Sequence, residues 1–496
     1  MDLLYSSTRN GEEKVTASKA ILKGLADDGG LFVPESIPKL DVTIEELAKM
    51  SYQETAYAVM KLFFTDFTEE ELKNCINKAY DSKFDTDEIA PLVEADGAYY
   101  LELFHGATIA FKDMALSILP HLLTTAAKKN QVNNEIVILT ATSGDTGKAA
   151  LAGFADVEGT KIVVFYPKDG VSPIQKQQMV TQKGDNTYVV GINGNFDQAQ
   201  TGVKKMFSDK ELAKELDAAG YQFSSANSIN IGRFIPQITY YVYAYAKLYA
   251  NGKIAKDEKI NIVVPTGNFG NILSAFYAKN MGLPVAKLIC ASNENKVLYD
   301  FFETGKYDKN REFILTSSPS MDILISSNLE RLIYWAAGND AKKNVEFMTA
   351  LTKEGVYEIT PQMQEKLKDV DFDVVVGPES RGFIFGVPIA YNLHKPFVLV
   401  RKKGKLPCET VEKEYDLEYG KATIEMHKDA IKPGQKVVLV DDLIATGGTM
   451  EAAAKLVEEL GGEVVKIIFL MELAGLKGRE RLKEYDVESV ICYEGK

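Results

Sequence analysis

At 496 residues the chain is too long for one hydrophobic core and predicts two to four domains. Its 46% hydrophobic and 26% charged residues are ordinary for a globular protein, and a formal net charge of -13 argues against nonspecific nucleic-acid binding and against an anionic membrane partner. Cys75, Cys290, Cys408 and Cys492 lie far apart, as do the histidines, so no disulfide framework and no metal cluster is expected; no apolar run reaches bilayer length and no signal-peptide pattern opens the chain, which makes the cytoplasm the expected compartment.

Residues 1 to about 90 predict a helical opening region. Asp27-Asp28-Gly29-Gly30 signals a turn before Leu31-Phe32-Val33-Pro34, and Thr43 with Glu46 and Thr68 with Glu71 have capping-box spacing. Ala98–Glu102 reads as a strand and Met114 to about Ala127 as a mostly apolar helix. Lys112, in Phe111-Lys112-Asp113, falls between them. A lysine between two buried elements loses hydration, which disfavours its charged form and makes the amine nucleophilic, as a Schiff-base lysine requires. Taken alone it is as readily a solvated lysine at a helix start.

From Glu135 the pattern becomes strand, glycine turn, helix. Ile136–Thr140 is a β-rich run, Ser143-Gly144-Asp145-Thr146-Gly147 a turn, Lys148–Phe154 helix-like, and Lys161–Tyr166 the next strand, closed by Pro167. This alternation predicts a parallel sheet covered by helices, and the turn offers backbone N–H groups to an anion at a helix start. Ser224–Arg233 is a polar run ending in an arginine whose fork suits a phosphate; the aromatic helix Gln237–Tyr249 after it predicts packing rather than a cofactor stack. The strand Asn261–Thr266 leads into Gly267-Asn268-Phe269-Gly270-Asn271 and a helix Ile272–Asn280, a second anion cradle.

With these pieces assembled, residues 1 to about 368 resemble threonine synthase, an enzyme of the tryptophan-synthase-β class that uses pyridoxal 5'-phosphate (PLP fold type II, α/β). The matching motifs are Tyr5–Arg9, Gly24–Pro34, Phe104–Thr108 with Phe111–Asp113, Ala141–Gly147, Ser225–Asn230 and Pro265–Asn271. The resemblance implies that Lys112 carries PLP as a Schiff base. It implies that Gly267, Asn268, Phe269, Gly270 and Asn271 hold the cofactor phosphate, and that Ser143, Gly144, Asp145 and Thr146 receive the substrate carboxylate. Asn230 and Arg233 are placed near the phosphate of O-phosphohomoserine. The family's segment past the equivalent of residue 368, which brings a hydroxyl to the pyridine nitrogen, is not recognisable in this chain.

Beyond this region the pattern changes. Thr360-Pro361 predicts a helix start, running out near Asp369-Val370. Phe372–Val376 reads as a strand entering Gly377–Phe383, Pro396–Val400 as another ending in the basic run Arg401–Lys405, and Lys436–Asp442 as a third leading into Leu443–Thr449 and a helix Met450–Leu460. Paired acids at a strand end before a glycine loop suit sugar hydroxyls or a hydrated Mg²⁺. About residues 372–496 resemble adenine phosphoribosyltransferase, through Val440–Thr449, Arg401–Pro407 and Tyr415–Gly420. That resemblance implies that Ala445, Thr446, Gly447, Gly448 and Thr449 bind the 5-phosphate of phosphoribosyl pyrophosphate (PRPP). Asp441 and Asp442 would sit by the ribose, Arg381 and Lys402 would approach the pyrophosphate with Mg²⁺, and Glu418 would be the acid/base group near adenine. The family's hood over adenine is not recognisable before Phe372.

The expected domains are 1–95, an N-terminal threonine-synthase region; 96–370, the PLP-binding region; and 371–496, a phosphoribosyltransferase-like α/β domain with which the chain could form a homodimer. The join near Val370-Asp371 has no Gly/Ser-rich linker, so the chain reads as two partial enzymes, either a natural fusion or a recombined coding sequence. The expected activity is threonine synthesis with a PRPP-binding tail. The alternatives are adenine salvage as the live activity and a non-catalytic chimera that binds PLP and PRPP.

Overall fold

The computed structural model describes residues 2–142, 144–168, 171–194, 196–314, 316, 318–368, 398–417, 420–432 and 435–493. They fall into two compact units, Met1–Leu92 with Leu101–Phe372, and Val93–Tyr100 with Asp373–Lys496.

The first unit opens with the expected helices. Both predicted capping boxes form, Thr43 with Glu46 and Thr68 with Glu71, and a third pairs Ser51 with Glu54 at the start of Tyr52–Met60. The turn at Asp28 is also as expected: its Oδ1 accepts from Gly30 N and Ser7 Oγ, each at 2.8 Å. The region is more than helical, however. Tyr5–Ser7 pairs antiparallel with Lys14–Val15 and Phe32–Pro34, strands of two or three residues that are too short to show a period in the sequence.

Around Lys112 two expectations need correction. The strand is Ala98–Leu101, paired with Leu92–Ala95, and residues 98–100 are exposed and group with the second unit. It therefore does not bury Lys112. The apolar helix is two helices, Asp113–Leu116 and Leu119–Lys129. Pro120 lies at the break, where it lacks the N–H that a continuous helix needs.

The centre of the unit is a parallel sheet in the order Thr187–Ile192, Thr160–Pro167, Glu135–Ala141, Tyr221–Ser224. Glu135–Ala141 is buried along nearly its whole length because both faces are covered. Ile136 and Ile138 join the main core with Ala149, Ala150 and Phe154, while Val137, Leu139 and Ala141 join a second cluster with Ala199 and Val203. The helix Asp145–Phe154 thus starts at the carboxyl end of the central strand. A second parallel pair, Ile260–Pro265 with Val285–Ala291, leads into the helix Gly270–Met281. The aromatic helix Pro236–Ala250 buries Tyr240, Tyr241, Tyr243 and Tyr245, as packing requires.

In the second unit, Lys436–Ile444, Glu463–Leu473 and Val487–Tyr493 form a parallel sheet, and the helix Gly448–Glu459 comes after its first strand. Arg401–Lys402, Gly420–His427 and Thr410–Leu417 form an antiparallel sheet. Of the strand predicted at 396–400, residues 396–397 lie outside the described residues and Val398–Val400 is irregular; pairing begins at Arg401, inside the basic run. The predicted strand 372–376 and the turn 377–383 lie outside the described residues. Among the described residues no helix is long and apolar enough to cross a membrane.

Candidate active site

Lys112 stands at the N-terminus of Asp113–Leu116, in a loop that its neighbours lock. The buried Asp113 carboxylate accepts from Thr108 N at 2.8 Å and from Thr108 Oγ1 at 2.6 Å, and Lys148 Nζ donates to Thr108 O at 2.8 Å. A Cβ at Gly106 would come within 2.5 Å of Asp113 Cβ, so only glycine fits this crossing. The Lys112 amine donates to Asp145 Oδ2 at 3.3 Å. Burial, together with the Arg233 and Lys148 cations and against the pull of Asp145, lowers its pKa to about 8.

The glycine turn after the central strand is built on Thr142, whose Oγ1 accepts from Gly144 N and Gly147 N, each at 2.9 Å. Gly144 has φ +147°, and a Cβ there would overlap the Gln175 carboxamide. Ser143 lies outside the described residues. Thr146 is half-buried in the first turn of the helix. The Asp145 carboxylate points back at Lys112 and also accepts from Gln175 Nε2 at 2.6 Å and from Ser320 Oγ. Burial works to raise this carboxyl, but Lys112, the Ser320 hydroxyl and Lys148 hold it below its usual range.

The second cradle comes after the strand Ile260–Pro265. Phe269 adopts φ +63° and caps the helix Gly270–Met281. No described group accepts from the N–H groups of Gly267, Asn268, Phe269, Gly270 or Asn271. That is the donor set an anion needs. At its two glycines the loop is tight: a Cβ at Gly267 would meet Ser320 O at 3.0 Å and Met321 Cα at 3.3 Å, and one at Gly270 would meet Asn328 Nδ2 at 3.2 Å. Asn328 braces the loop from below, with N and Nδ2 donating to Asn268 O at 3.1 and 3.2 Å and Nδ2 also to Ser228 Oγ at 2.9 Å. Asn271 Oδ1 accepts from the Tyr240 and Tyr241 hydroxyls at 2.6 and 2.5 Å, which ties the aromatic helix to the cradle.

Asn230 and Arg233 divide. The Asn230 carboxamide is committed to the fold, donating to Ile21 O and Ser225 O, each at 3.0 Å, and accepting from Gly232 N at 2.9 Å. Arg233 is buried; one terminal nitrogen donates to Ala226 O at 2.8 Å, while its Nε has no partner. Burial lowers its pKa to about 10. A buried guanidinium N–H without an acceptor fits an incoming anion. The sequence pointed to Lys112, the glycines and Arg233, but not to Gln175, Ser320 or Asn328. These three stand in stretches with no glycine turn or charge cluster to mark them, and only the chain path brings them together.

In the second unit the loop from Ala445 to Thr449 joins strand Lys436–Ile444 to helix Gly448–Glu459 as expected. Gly447 caps the helix at φ +77°, where a Cβ would lie 2.6 Å from Gly478 O. Thr446 and Thr449 are half-buried beside it. Asp441 and Asp442 lie within the strand, which runs past the expected end to Ile444, with Asp442 N donating to Asp441 Oδ1 at 2.9 Å. Lys402 is exposed on its short strand. Arg381 and Glu418 lie outside the described residues.

A parallel-sheet unit in which a largely buried lysine meets the carboxylate of one glycine turn, itself joined through Ser320 to a second, is the arrangement of an enzyme of the tryptophan-synthase-β class. Comparison with known proteins agrees. Residues 4–80 match the family described as Threonine synthase N terminus, residues 87–332 the Pyridoxal-phosphate dependent enzyme family, and residues 350–494 the Phosphoribosyl transferase domain. Threonine synthase of Pseudomonas aeruginosa is 38% identical, over 76% of this chain and 78% of that one. The PLP-bound threonine synthase structure from Brucella melitensis superposes with a TM-score of 0.68 at 37% identity, covering 75% of this chain and 78% of the other. Human threonine synthase-like 1 is 41% identical over 72% of this chain and 50% of its own length, so the chain spans about half of that curated relative. The chain belongs to the threonine synthase family, and a phosphoribosyl transferase domain comes after its PLP-enzyme region.

Proposed function

We propose that the first unit converts O-phosphohomoserine and water to threonine and phosphate, with PLP held on Lys112. The observation that carries this reading is the largely buried Lys112 amine, held on Asp145 at 3.3 Å in a loop locked by Asp113 and brought to about 8. An amine poised near neutrality can both attack a carbonyl and carry protons. Bound PLP supplies the aldehyde and the conjugated ring that takes up electron density. The rest is the work of the chain. The N–H groups of Gly267–Asn271 hold the cofactor phosphate, and Asn328 and the two tyrosines keep that loop in shape. Lys112 Nζ takes and returns protons at Cα and Cβ of the substrate. The helix start at Asp145–Thr146 offers N–H groups to the substrate carboxylate, and Arg233 Nε receives the phosphate that leaves from Cγ. For the second unit the reading is PRPP binding with Mg²⁺, carried by the αL cap at Gly447 and the aspartate pair.

Borohydride trapping and then peptide mass analysis test the Lys112 assignment. Wild type is expected to hold reduced PLP on the peptide containing Lys112. Lys112→Ala is expected to bind PLP without covalent attachment and to lose threonine formation; full turnover by that variant would remove Lys112 from the reaction.

A further inference from the structure

The Asp145 carboxylate is fixed by three side chains. Lys112 Nζ and Ser320 Oγ meet Oδ2, and Gln175 Nε2 meets Oδ1 at 2.6 Å. Gln175 comes from the helix Pro173–Val180 and Ser320 from the short turn Pro319–Met321. That turn is itself anchored. The nearly buried Asp322 carboxylate accepts from Thr316 N at 2.9 Å, from Thr316 Oγ1 and Asn293 Nδ2 at 2.7 Å, and from Asn295 Nδ2 at 3.1 Å. Three segments far apart in sequence thus converge on one carboxylate. The other charged groups acting on Lys112 are the cations Arg233 and Lys148. The nearby Asp113 carboxylate is turned away and taken by Thr108.

We propose that Asp145 is a positioning residue for Lys112: its carboxylate keeps a proton on Lys112 Nζ against burial and two neighbouring cations, and it takes no part in receiving the substrate carboxylate. A carboxylate already divided among an ammonium, an amide and a hydroxyl repels a second anion rather than binding it. The anion-binding capacity of this turn is then that of its backbone, and the side chain serves the lysine. Arg233 and Lys148 would otherwise favour a neutral amine, so Asp145 decides how much of the cofactor-free protein holds Lys112 charged. When Lys112 gives up its proton, the same carboxylate is the fixed charge that favours its return.

The inference rests on the reading of Lys112 as the reactive amine, and the test separates the two. In the full chain freed of cofactor, the pH dependence of Lys112 acetylation by acetic anhydride is read by peptide mass. Asp145→Asn is expected to move its midpoint down by at least about one pH unit, the lower end for an opposite charge at this range. Asp145→Glu is expected to restore part of that shift. An unchanged midpoint in a folded Asp145→Asn chain overturns the proposal. Should that variant not fold, the coupling is read from the other side, because the interaction acts equally on both partners. In Lys112→Met the Asp145 carboxyl, observed by carbon NMR of labelled aspartate, is expected to titrate about one unit higher; no movement overturns the proposal. Borohydride trapping stands apart from both. Absent PLP attachment with an intact midpoint shift sinks the cofactor reading and leaves the Lys112–Asp145 coupling in place, and the converse sinks the coupling alone.

Discussion

Burying the Lys112 amine costs the fold stability for as long as the amine is charged. Its folded pKa of about 8 lies below the ordinary lysine value of 10.5, so between these two values the unfolded chain binds more protons than the folded one. The penalty is complete below about pH 8 and is relieved as pH rises toward 10.5. Lys112→Met is therefore expected to stabilise the cofactor-free protein at pH 7, by up to about 3 kcal/mol, with the gain shrinking through that window. Urea unfolding, monitored by the fluorescence of Trp335, the chain's one tryptophan and part of the first unit, measures this. A gain that does not vary between pH 7 and 10.5 would show that burial is not what displaces the amine. Residues of this kind were legible in the sequence because a motif surrounds them. Asp145 was legible as a position, but not in its direction. Only the path of Pro173–Val180 and of Pro319–Met321 turns its carboxylate toward Lys112, and those segments carry no local pattern.

At the scale of elements, the glycine turns are where backbone geometry meets chemistry. Gly267 is not required by its own φ but by its surroundings, since Ser320 O and Met321 Cα leave a Cβ no ordinary contact distance. A branched side chain would push the loop away from Pro319–Met321 and tilt the N–H groups that face the proposed phosphate. Gly267→Val is expected to weaken PLP binding at least about tenfold, the equivalent of roughly 1.4 kcal/mol, measured by equilibrium titration with the cofactor. Unchanged affinity would put the phosphate elsewhere. The strands and helices flanking these turns were readable because βα units repeat apolar runs and glycine at fixed intervals. The elements that escaped were short or exposed. Tyr5–Ser7 and its partners depend on pairing across the chain rather than on period, and Ala98–Leu101 reads as a buried strand while its first three residues face solvent. The antiparallel pair Thr410–Leu417 with Gly420–His427 escaped as well, because its alternation is carried by charged residues such as Glu412, Lys413 and Glu414.

On the scale of the whole molecule, the phosphoribosyl transferase match begins at residue 350, well before the second unit. That leading stretch is spent in the first unit. Ala341–Lys353 is a helix there, Val356–Glu358 pairs antiparallel with Lys306–Asp308, and Tyr357 stacks on Tyr307 with ring centroids 5.3 Å apart. Thr360 caps the helix Pro361–Lys368, as its sequence predicts. Side chains spent on these contacts are not free to pack against a base. The loop proposed for PRPP has no such conflict: Gly447, Thr449 and the Asp441–Asp442 pair all belong to the second unit. The two halves of a phosphoribosyl transfer are thus expected to separate. PRPP with saturating Mg²⁺ should release heat on binding the full chain, and Thr449→Val, which removes a hydroxyl beside the helix start, should weaken it. AMP formation from adenine should be slow or absent, because a purine with one face in water loses apolar burial and the dry surroundings in which its bond to the ribose forms. Calorimetry reads the first half and a coupled AMP assay the second. Absent PRPP heat would mean that the loop, although shaped for a phosphate, is not charged to hold one. AMP produced at the pace of a salvage enzyme would overturn the second half.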